Sequence, residues 1–180
     1  MKRIIAVAII IFSVFAYAET EKIAIPSDAG MRMVWWPKVE PPKGWHFDQG
    51  ASYHFAFNAM VPDGASFADA ETIMYAKASY KPRMPNTKDL ISFIKQDMSE
   101  FENSTQKINI KHERSLLSGD GTTLEIYSFS PATEGSWEFV AYGEDPEYFL
   151  TFTISSKSQS GLNSSMGAFK QMLGNYRDKP

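Results

Sequence analysis

The fold is decided by the segments TTLEIYSFS (residues 122–130), SWEFVAY (136–142) and EYFLTFTIS (147–155). Each segment is rich in β-branched and aromatic residues, the composition that is typical of strands. The connections between them are short, whereas a parallel crossover would need a dozen or more residues. The three segments therefore predict an antiparallel meander.

Further strands are predicted upstream of this meander. Thr72–Tyr80 precedes Pro82, and Lys107–Leu116 leads into the turn Ser118-Gly-Asp-Gly121. Ser52–Met60 alternates in polarity, with one face formed by Tyr53, Phe55, Phe57 and Ala59. Met31–Trp36 is a candidate strand, and the prolines of Pro37–Gly44 indicate an irregular connector.

Two helices are predicted between and after the strands. The first begins near Asn86 or Thr87, with Asn86 and Asp89 spaced as a capping pair. Its apolar positions are Leu90, Ile91, Ile94, Met98 and Phe101. The second covers Ser160–Tyr176, with the one-sided stripe Leu162, Met166, Phe169, Leu173 and Tyr176. Because each helix has one apolar face, the fold class is α+β, a mainly antiparallel sheet with helices packed on it.

Three blocks of this pattern resemble the PsbP-like fold, the α/β/α sandwich of the photosystem II subunit PsbP and of the exported DcrB family. They are Tyr53–Gly64, Asn86–Phe101, and Phe149–Ser156 followed by Ser160–Tyr176. The resemblance covers about Ser52 to Tyr176, and the chain is also similar to uncharacterised exported proteins of Gram-negative bacteria. It implies partner binding without catalysis.

The amino terminus has the three parts of a secretory signal peptide. Lys2 and Arg3 precede an apolar run, and Ala16-Tyr-Ala18 is a small-x-small cleavage site. The run is shorter than the roughly 20 residues that a membrane span needs. We expect cleavage after Ala18, a mature chain that begins at Glu19, no membrane span after cleavage, and a periplasmic or secreted location.

The mature chain divides by composition into a Pro/Trp-rich arm, residues 19–50, and a single α+β domain, residues 51–177. Loss of Lys2 and Arg3 leaves 16 Lys+Arg against 21 Asp+Glu, a formal net charge of −5. An acidic chain without a basic run is a poor candidate for binding nucleic acid or anionic lipid surfaces. The absence of cysteine excludes thiol chemistry and thiolate metal sites.

The candidate binding residues are Trp35, Trp36 and Trp45 in the Pro/Trp-rich arm. Two interpretations are open. The indoles cover the sheet and complete the core, or they form a partly exposed patch for a protein partner or an apolar ligand. If there is a functional surface, we expect it on this arm and not on the face that carries the helices.

No residue set makes a catalytic case, and no cofactor is expected. The histidines His46, His54 and His112 lack metal-ligand spacing, although His46 and His54 are weak candidates if their strands are adjacent. Ser115 and Ser118 lie near His112 in sequence, and a strand end followed by a turn explains this grouping.

The sequence thus favours an exported, non-enzymatic binding or accessory domain of the bacterial cell envelope. Its partner would be an unidentified envelope protein or an apolar ligand. Two alternatives stay open: a hydrolase or metal-dependent enzyme without a recognisable motif, and an envelope inhibitor or immunity-type protein.

Overall fold

The computed structural model describes residues 20–102 and 107–176. The predicted signal peptide, Met1–Ala18, and the predicted first mature residue, Glu19, lie outside the described residues. The strands are β1 (Thr20–Ser27), β2 (Gly30–Pro37), β3 (Trp45–Phe47), β4 (Asn58–Pro62), β5 (Thr72–Tyr80), β6 (Ile108–His112), β7 (Leu116–Leu117), β8 (Thr123–Pro131), β9 (Trp137–Glu144) and β10 (Tyr148–Ser156). The helices are α1 (Gln49–Phe55), α2 (Leu90–Glu102) and α3 (Gln159–Asn175), and a 3-10 helix covers Lys81–Arg83.

The described strands form one large antiparallel sheet. Its order is β1-β2-β5-β10-β9-β8-β6, with β4 also paired to β5, β3 paired to β4 and β7 paired to β8. The meander β8–β9–β10 is as predicted, and β10 pairs with β5 from Tyr148 opposite Tyr80 to Ser156 opposite Thr72. The long pairing of β5 with β10 places these two strands at the centre of the fold.

One face of the sheet is covered by α3. The Ser158 hydroxyl caps this helix by accepting a hydrogen bond from the Gly161 amide at 3.0 Å. The predicted stripe is buried at Leu162, Phe169, Leu173 and Tyr176. Its partners on the sheet include Met74, Ala76, Leu124, Ile126, Phe152 and Ile154.

The opposite face carries α2, whose cap, Asp89, lies three residues after the predicted cap at Asn86. The Asp89 carboxylate accepts from the Ser92 amide at 2.8 Å, and the Ser92 hydroxyl accepts from the Asp89 amide at 3.0 Å. Phe93 and Ile94 are buried against Phe129, Val140, Tyr142 and Phe149. Ile91, expected on the apolar stripe, is 65% exposed.

The predicted strand Ser52–Met60 is wrong over its first half, which forms α1. Asp48 caps this helix by accepting a hydrogen bond from the Ala51 amide at 2.9 Å. The Ser52 hydroxyl donates to the Asp48 carbonyl and accepts from the Ala59 amide, tying the helix to the start of β4. These local hydrogen bonds override the alternation of Tyr53, Phe55 and Phe57, and β4 begins at Asn58.

Residues 20–37 form a β-hairpin that extends the sheet. Gly30 has φ 107° at the turn, a conformation that favours glycine, and the Ser27 hydroxyl donates to its carbonyl at 2.8 Å. β2 pairs with β5 where Trp35 lies opposite Ala78. The segment predicted as an arm, residues 19–50, thus supplies β1–β3, and α1 crosses its boundary with the predicted domain.

The predicted fold class is confirmed. The structure is α+β, with α3 on one face of a large antiparallel sheet and α2 on the other.

Candidate functional site

A groove of about 500 Å³ lies on the α2 face of the sheet, which we call the aromatic groove. The central strands β5 and β10 form its floor, α2 forms one wall, and aromatic rings at and after the end of α1 form the other. It is lined by Phe55, Phe57, Tyr75, Lys77, Ser79, Met84, Phe93, Gln96, Asp97, Phe101, Val140, Thr151 and Thr153. Its volume falls within the range of about 300–1,000 Å³ typical of small-molecule sites.

The wall that follows α1 is a stack of aromatic rings. Phe57 stacks on Tyr75 with ring centroids 4.4 Å apart, and Phe55 stacks on Phe57 at 5.5 Å. Phe67 packs against Phe55 at 5.1 Å and against Phe57 at 5.9 Å. Phe55 lines the groove and yet is 49% exposed, so its ring is available to a ligand.

Local capping fixes the position of this wall. The two carboxylate oxygens of Asp48 accept hydrogen bonds from the amides of Ala51 and Phe67, each at 2.9 Å. These hydrogen bonds lower the pKa of Asp48, so the carboxylate is ionised over the physiological range. Ala56 ends α1 in the left-handed region, with φ 63°. One capping side chain thus joins α1 to the loop that carries Phe67.

The floor of the aromatic groove is polar. Tyr75, Lys77 and Ser79 alternate along β5 on this face, and Thr151 and Thr153 do so on β10. The buried Thr153 hydroxyl lies on this floor beside the Tyr75 phenol. Burial raises the pKa of Tyr75, and the Glu138 carboxylate acts in the same direction, so the Tyr75 phenol stays protonated.

The helical wall combines apolar rings with a carboxylate that is already engaged. Phe93 and Phe101 line the groove from α2. Between them, the Asp97 carboxylate accepts a hydrogen bond of 2.6 Å from the Tyr142 hydroxyl. Burial raises the pKa of Tyr142, and Asp97 adds to this effect, so the Tyr142 hydroxyl remains a donor. The hydrogen bond fixes α2 to β9 at the side of the groove.

A second carboxylate is buried on the same side of the sheet. Glu138 lies on β9 two residues before Val140, and its Oε1 accepts from the Ser155 hydroxyl at 2.7 Å. Its Oε2 is buried without a hydrogen-bond partner among the described residues. Burial raises the pKa of Glu138, and the Asp97 charge adds to this effect. The α2 face therefore contains buried acidic groups, in contrast to the apolar α3 face.

A second cleft of about 350 Å³ adjoins the groove where β2 meets β5, and we call it the basic cleft. The two spaces share Phe55, Lys77, Ser79 and Met84 as lining residues. Three basic side chains, Arg32, Lys77 and Arg83, line the cleft, and no described acidic residue does. The cleft is thus a positive region on a chain whose formal net charge is −3.

These three cations lack anionic partners within the described chain. The side chains of Arg32, Lys77 and Arg83 form no ion pair and no hydrogen bond with another described residue. The Arg83 guanidinium lies 4.5 Å from the ring centroid of Trp35, a cation–π contact. Trp35 in turn stacks on Tyr80 at 5.1 Å. The aromatic contact orients Arg83 without neutralising its charge.

The structure places the three predicted binding tryptophans in different surroundings. Trp35 lines the basic cleft and also packs against the core beneath α3. Trp36 is buried, packs against Tyr53 with ring centroids 5.9 Å apart, and keeps an indole N–H without a hydrogen-bond partner among the described residues. Trp45 is half-buried against the core beneath α3. Of the three, Trp35 alone lines either space, and a binding role for the group stays a prediction.

The structure gives His46 and His54 separate neighbours. His46 Nδ1 lies 3.5 Å from Asp63 Oδ1, whereas the His54 ring packs edge-on against Phe55 at 4.6 Å. Within residues 20–102 and 107–176, no three His, Asp or Glu side chains converge in a way that could hold a metal ion.

The grouping of His112 with Ser115 places a carboxylate between the two side chains. His112 Nε2 lies 2.9 Å from Glu125 Oε2, and the Ser115 hydroxyl donates to the same oxygen at 3.1 Å. A serine nucleophile needs the histidine as its direct hydrogen-bond partner, with the carboxylate behind it. Here the Glu125 carboxylate separates the serine from the histidine, and the three side chains form a hydrogen-bond cluster on the surface.

Across the described parts of the chain, no helix is long and apolar enough to cross a membrane.

The residues of the groove were missed at the level of sequence for a simple reason. Lys77, Ser79 and Thr151 are single polar residues on alternating strands, a pattern that solvent-exposed strand faces also show. The signal that could have been used is Asp48, an N-cap residue placed directly before Gln49–Phe55. That signal predicts α1 and hence the change of direction that brings Phe55 and Phe57 over β5.

Comparisons with known proteins find similarity at the level of structure. No family model matches the chain, and no curated protein matches it. The protein of unknown function PA94 from Pseudomonas aeruginosa is similar with a TM-score of 0.48 and 10% identity, over 88% of this chain and 98% of that chain. The Saccharomyces cerevisiae Ran-binding protein Mog1p is similar with a TM-score of 0.44 and 12% identity, over 88% of this chain and 93% of that chain. Neither likeness is close enough to assign a family, a site or a partner to this chain.

Proposed function

We propose that this chain is an exported, non-enzymatic binding domain of the bacterial cell envelope, and that it binds its ligand in the aromatic groove. One observation carries the proposal: a groove of about 500 Å³ whose wall is a stack of aromatic rings, one of them half-exposed. Concave sites with apolar walls and a few polar groups are the usual form of small-molecule sites.

The side chains of the groove support binding in preference to catalysis. Its carboxylate, Asp97, already accepts the Tyr142 hydroxyl. Lys77 and Ser79 lie on the same face of β5, but no hydrogen bond joins them, and no histidine lines the groove among the described residues. A hydrolytic site needs a nucleophile within hydrogen-bond reach of its base.

The proposed location depends on Met1–Ala18, which we interpret as a cleaved signal peptide that leads to the periplasm or the medium. We also retain the PsbP-like resemblance as a proposal of family, because it implies an accessory role of the same kind. Sequencing the amino terminus of the protein recovered from cells tests the location. A start at Glu19 is expected, and a retained Met1 would contradict cleavage.

The binding proposal is tested with N-phenyl-1-naphthylamine, an uncharged aromatic fluorophore whose emission rises in apolar sites. We expect the purified protein to bind it saturably. Phe55→Ala should weaken this binding by roughly three- to tenfold, because part of the apolar contact area is removed.

Leu117→Ala is the matched control, since Leu117 is a comparably exposed apolar side chain, at 66%, that does not line the groove. Its affinity should equal that of the unaltered protein, and a cooperative urea transition should show that both variants are folded. Failure of the unaltered protein to bind the fluorophore, or an equal loss of affinity in both variants, would contradict the proposal.

A further inference from the structure

We infer that the aromatic groove and the basic cleft together bind an amphiphile with one anionic headgroup on an apolar tail. The headgroup lies in the basic cleft among Arg32, Lys77 and Arg83, and the tail lies in the aromatic groove. This inference rests on the proposed function and specifies the chemical class of its ligand.

The headgroup position follows from charge. Arg32, Lys77 and Arg83 come from β2, β5 and the 3-10 helix after β5, and all three line one cleft of about 350 Å³. None is paired with a described acidic residue, although the chain has more acidic than basic residues. A carboxylate or phosphate would supply the missing partner, because guanidinium groups donate to such oxygens in a forked geometry.

Arg83 stands at the rim of the basic cleft. Its guanidinium is held 4.5 Å from the Trp35 ring centroid, and Trp35 is itself stacked on Tyr80. A cation fixed against an aromatic ring loses less side-chain freedom when it binds an anion. Because Trp35 lies opposite Ala78 and packs against the core beneath α3, Arg83 contributes from the rim of the cleft, whereas Lys77 lies on the groove side of β5.

The tail position follows from continuity between the two spaces. Phe55 and Met84 line both, so an apolar surface leads from the cleft into the groove. Lys77 also lines both and stands at their junction. Beyond this junction the walls are Phe57, Phe93 and Phe101. A ligand whose charge sits at one end of an apolar chain matches this sequence of surfaces.

The test is displacement of N-phenyl-1-naphthylamine by four ten-carbon compounds below their micellar concentrations: decanoate, decyl phosphate, decanol and decyltrimethylammonium. We expect the two anions to displace the fluorophore at about tenfold lower concentration than decanol, because each gains charge-assisted hydrogen bonds. The cation should displace it least. The stronger of the two anions identifies the headgroup as carboxylate or phosphate.

Two variants test whether the headgroup binds in the basic cleft. Arg83→Gln and Lys77→Gln should each reduce the advantage of the anions over decanol by roughly three- to tenfold, with decanol itself little changed. Lys170→Gln is the control, because Lys170 is exposed on α3 at the opposite face and its substitution removes the same charge. All three side chains are exposed, and equal urea midpoints verify that the variants are folded.

The outcomes separate this inference from the proposed function. If the protein does not bind the fluorophore, the proposed function fails and the inference fails with it. If it binds the fluorophore but decanol displaces it as well as the anions do, only the inference is overturned. An anion preference that survives both Arg83→Gln and Lys77→Gln also overturns it, because the headgroup then lies outside the basic cleft.

Discussion

The two faces of the central sheet are closed to different degrees. On one face, α3 buries Leu162, Phe169 and Leu173 against the apolar side chains of β5, β9 and β10. On the other face, α2 buries Phe93 and Ile94 against β8–β10, and the aromatic groove remains over β5.

Strand β5 explains the difference, because its two faces have opposite character. Met74, Ala76 and Ala78 point toward α3, whereas Tyr75, Lys77 and Ser79 point toward the groove. A helix laid across Lys77 would have to bury an unpaired ammonium group, which is strongly unfavourable. The polar face of a central strand therefore keeps a part of the sheet open for binding.

The largest effect is expected where the closed face is damaged. Phe169 is fully buried under α3, so Phe169→Ala should lower the free energy of unfolding by about 3–5 kcal/mol. Phe55→Ala removes a ring of the open face that is only half-buried, and should lower the free energy of unfolding by less, about 1 kcal/mol. Urea unfolding of the two variants measures the difference. Equal losses would show that the aromatic groove is part of the core and not a site.

Variants at the helix caps are expected to lower the free energy of unfolding by a smaller amount. They distinguish an effect on stability from an effect on binding. Asp48→Ala removes the acceptor for the Ala51 and Phe67 amides and should destabilise the protein by about 1–2 kcal/mol. Because Asp48 positions Phe55 and Phe67, we also expect weaker binding of N-phenyl-1-naphthylamine.

Ser158→Ala is the matched variant on the closed face, since Ser158 caps α3. It should lower stability by a similar amount, about 1 kcal/mol, and leave the fluorophore affinity unchanged. If the two cap variants weaken binding equally, general loosening of the fold and not the position of the aromatic wall controls the affinity.

The closed face was the more predictable one from sequence. The spacing of Leu162, Phe169 and Leu173 matches one face of a helix, and polarity alternates along β5 from Ala76 to Ser79. Both patterns arise because one side of the element is buried, and the period of the apolar residues in the sequence shows which side that is. The meander β8–β10 was predictable for the same reason, since its strands are apolar and its turns are short.

The open face could not be predicted from such patterns. Alternation favoured a strand at Ser52–Met60, but the Asp48 cap and the Ser52 hydroxyl hold its first half as α1. The cleft is formed by residues distant in sequence, such as Arg32 and Arg83, and their convergence depends on how β2 pairs with β5. Nothing in the spacing of single polar residues indicates that convergence.

The smallest effect concerns the buried acid of the open face and depends on pH. Burial raises the pKa of Glu138 in the folded protein, so the folded state retains this proton to higher pH than the unfolded state does. Ionisation of Glu138 therefore reduces stability as the pH rises through its folded pKa. Glu138→Gln should be more stable than the unaltered protein at pH 8 and lose this advantage toward pH 4.

The comparison is made as a difference between the two proteins in urea at each pH. The other titrating groups, such as Asp48 with its lowered pKa, contribute to both proteins and cancel. A stability difference that does not change between pH 4 and pH 8 would contradict a raised pKa of the buried Glu138 carboxylate.

The central claim, that the open face of the sheet is the binding site, is tested most directly by nuclear magnetic resonance. Backbone amide shifts of the isotopically labelled protein are followed while N-phenyl-1-naphthylamine is added. We predict that the largest changes occur at Lys77, Ser79, Thr151 and Thr153 on the floor of the groove, with α3 unaffected. Changes concentrated on α3 or on the exposed Leu117, with the groove floor unchanged, would contradict the claim.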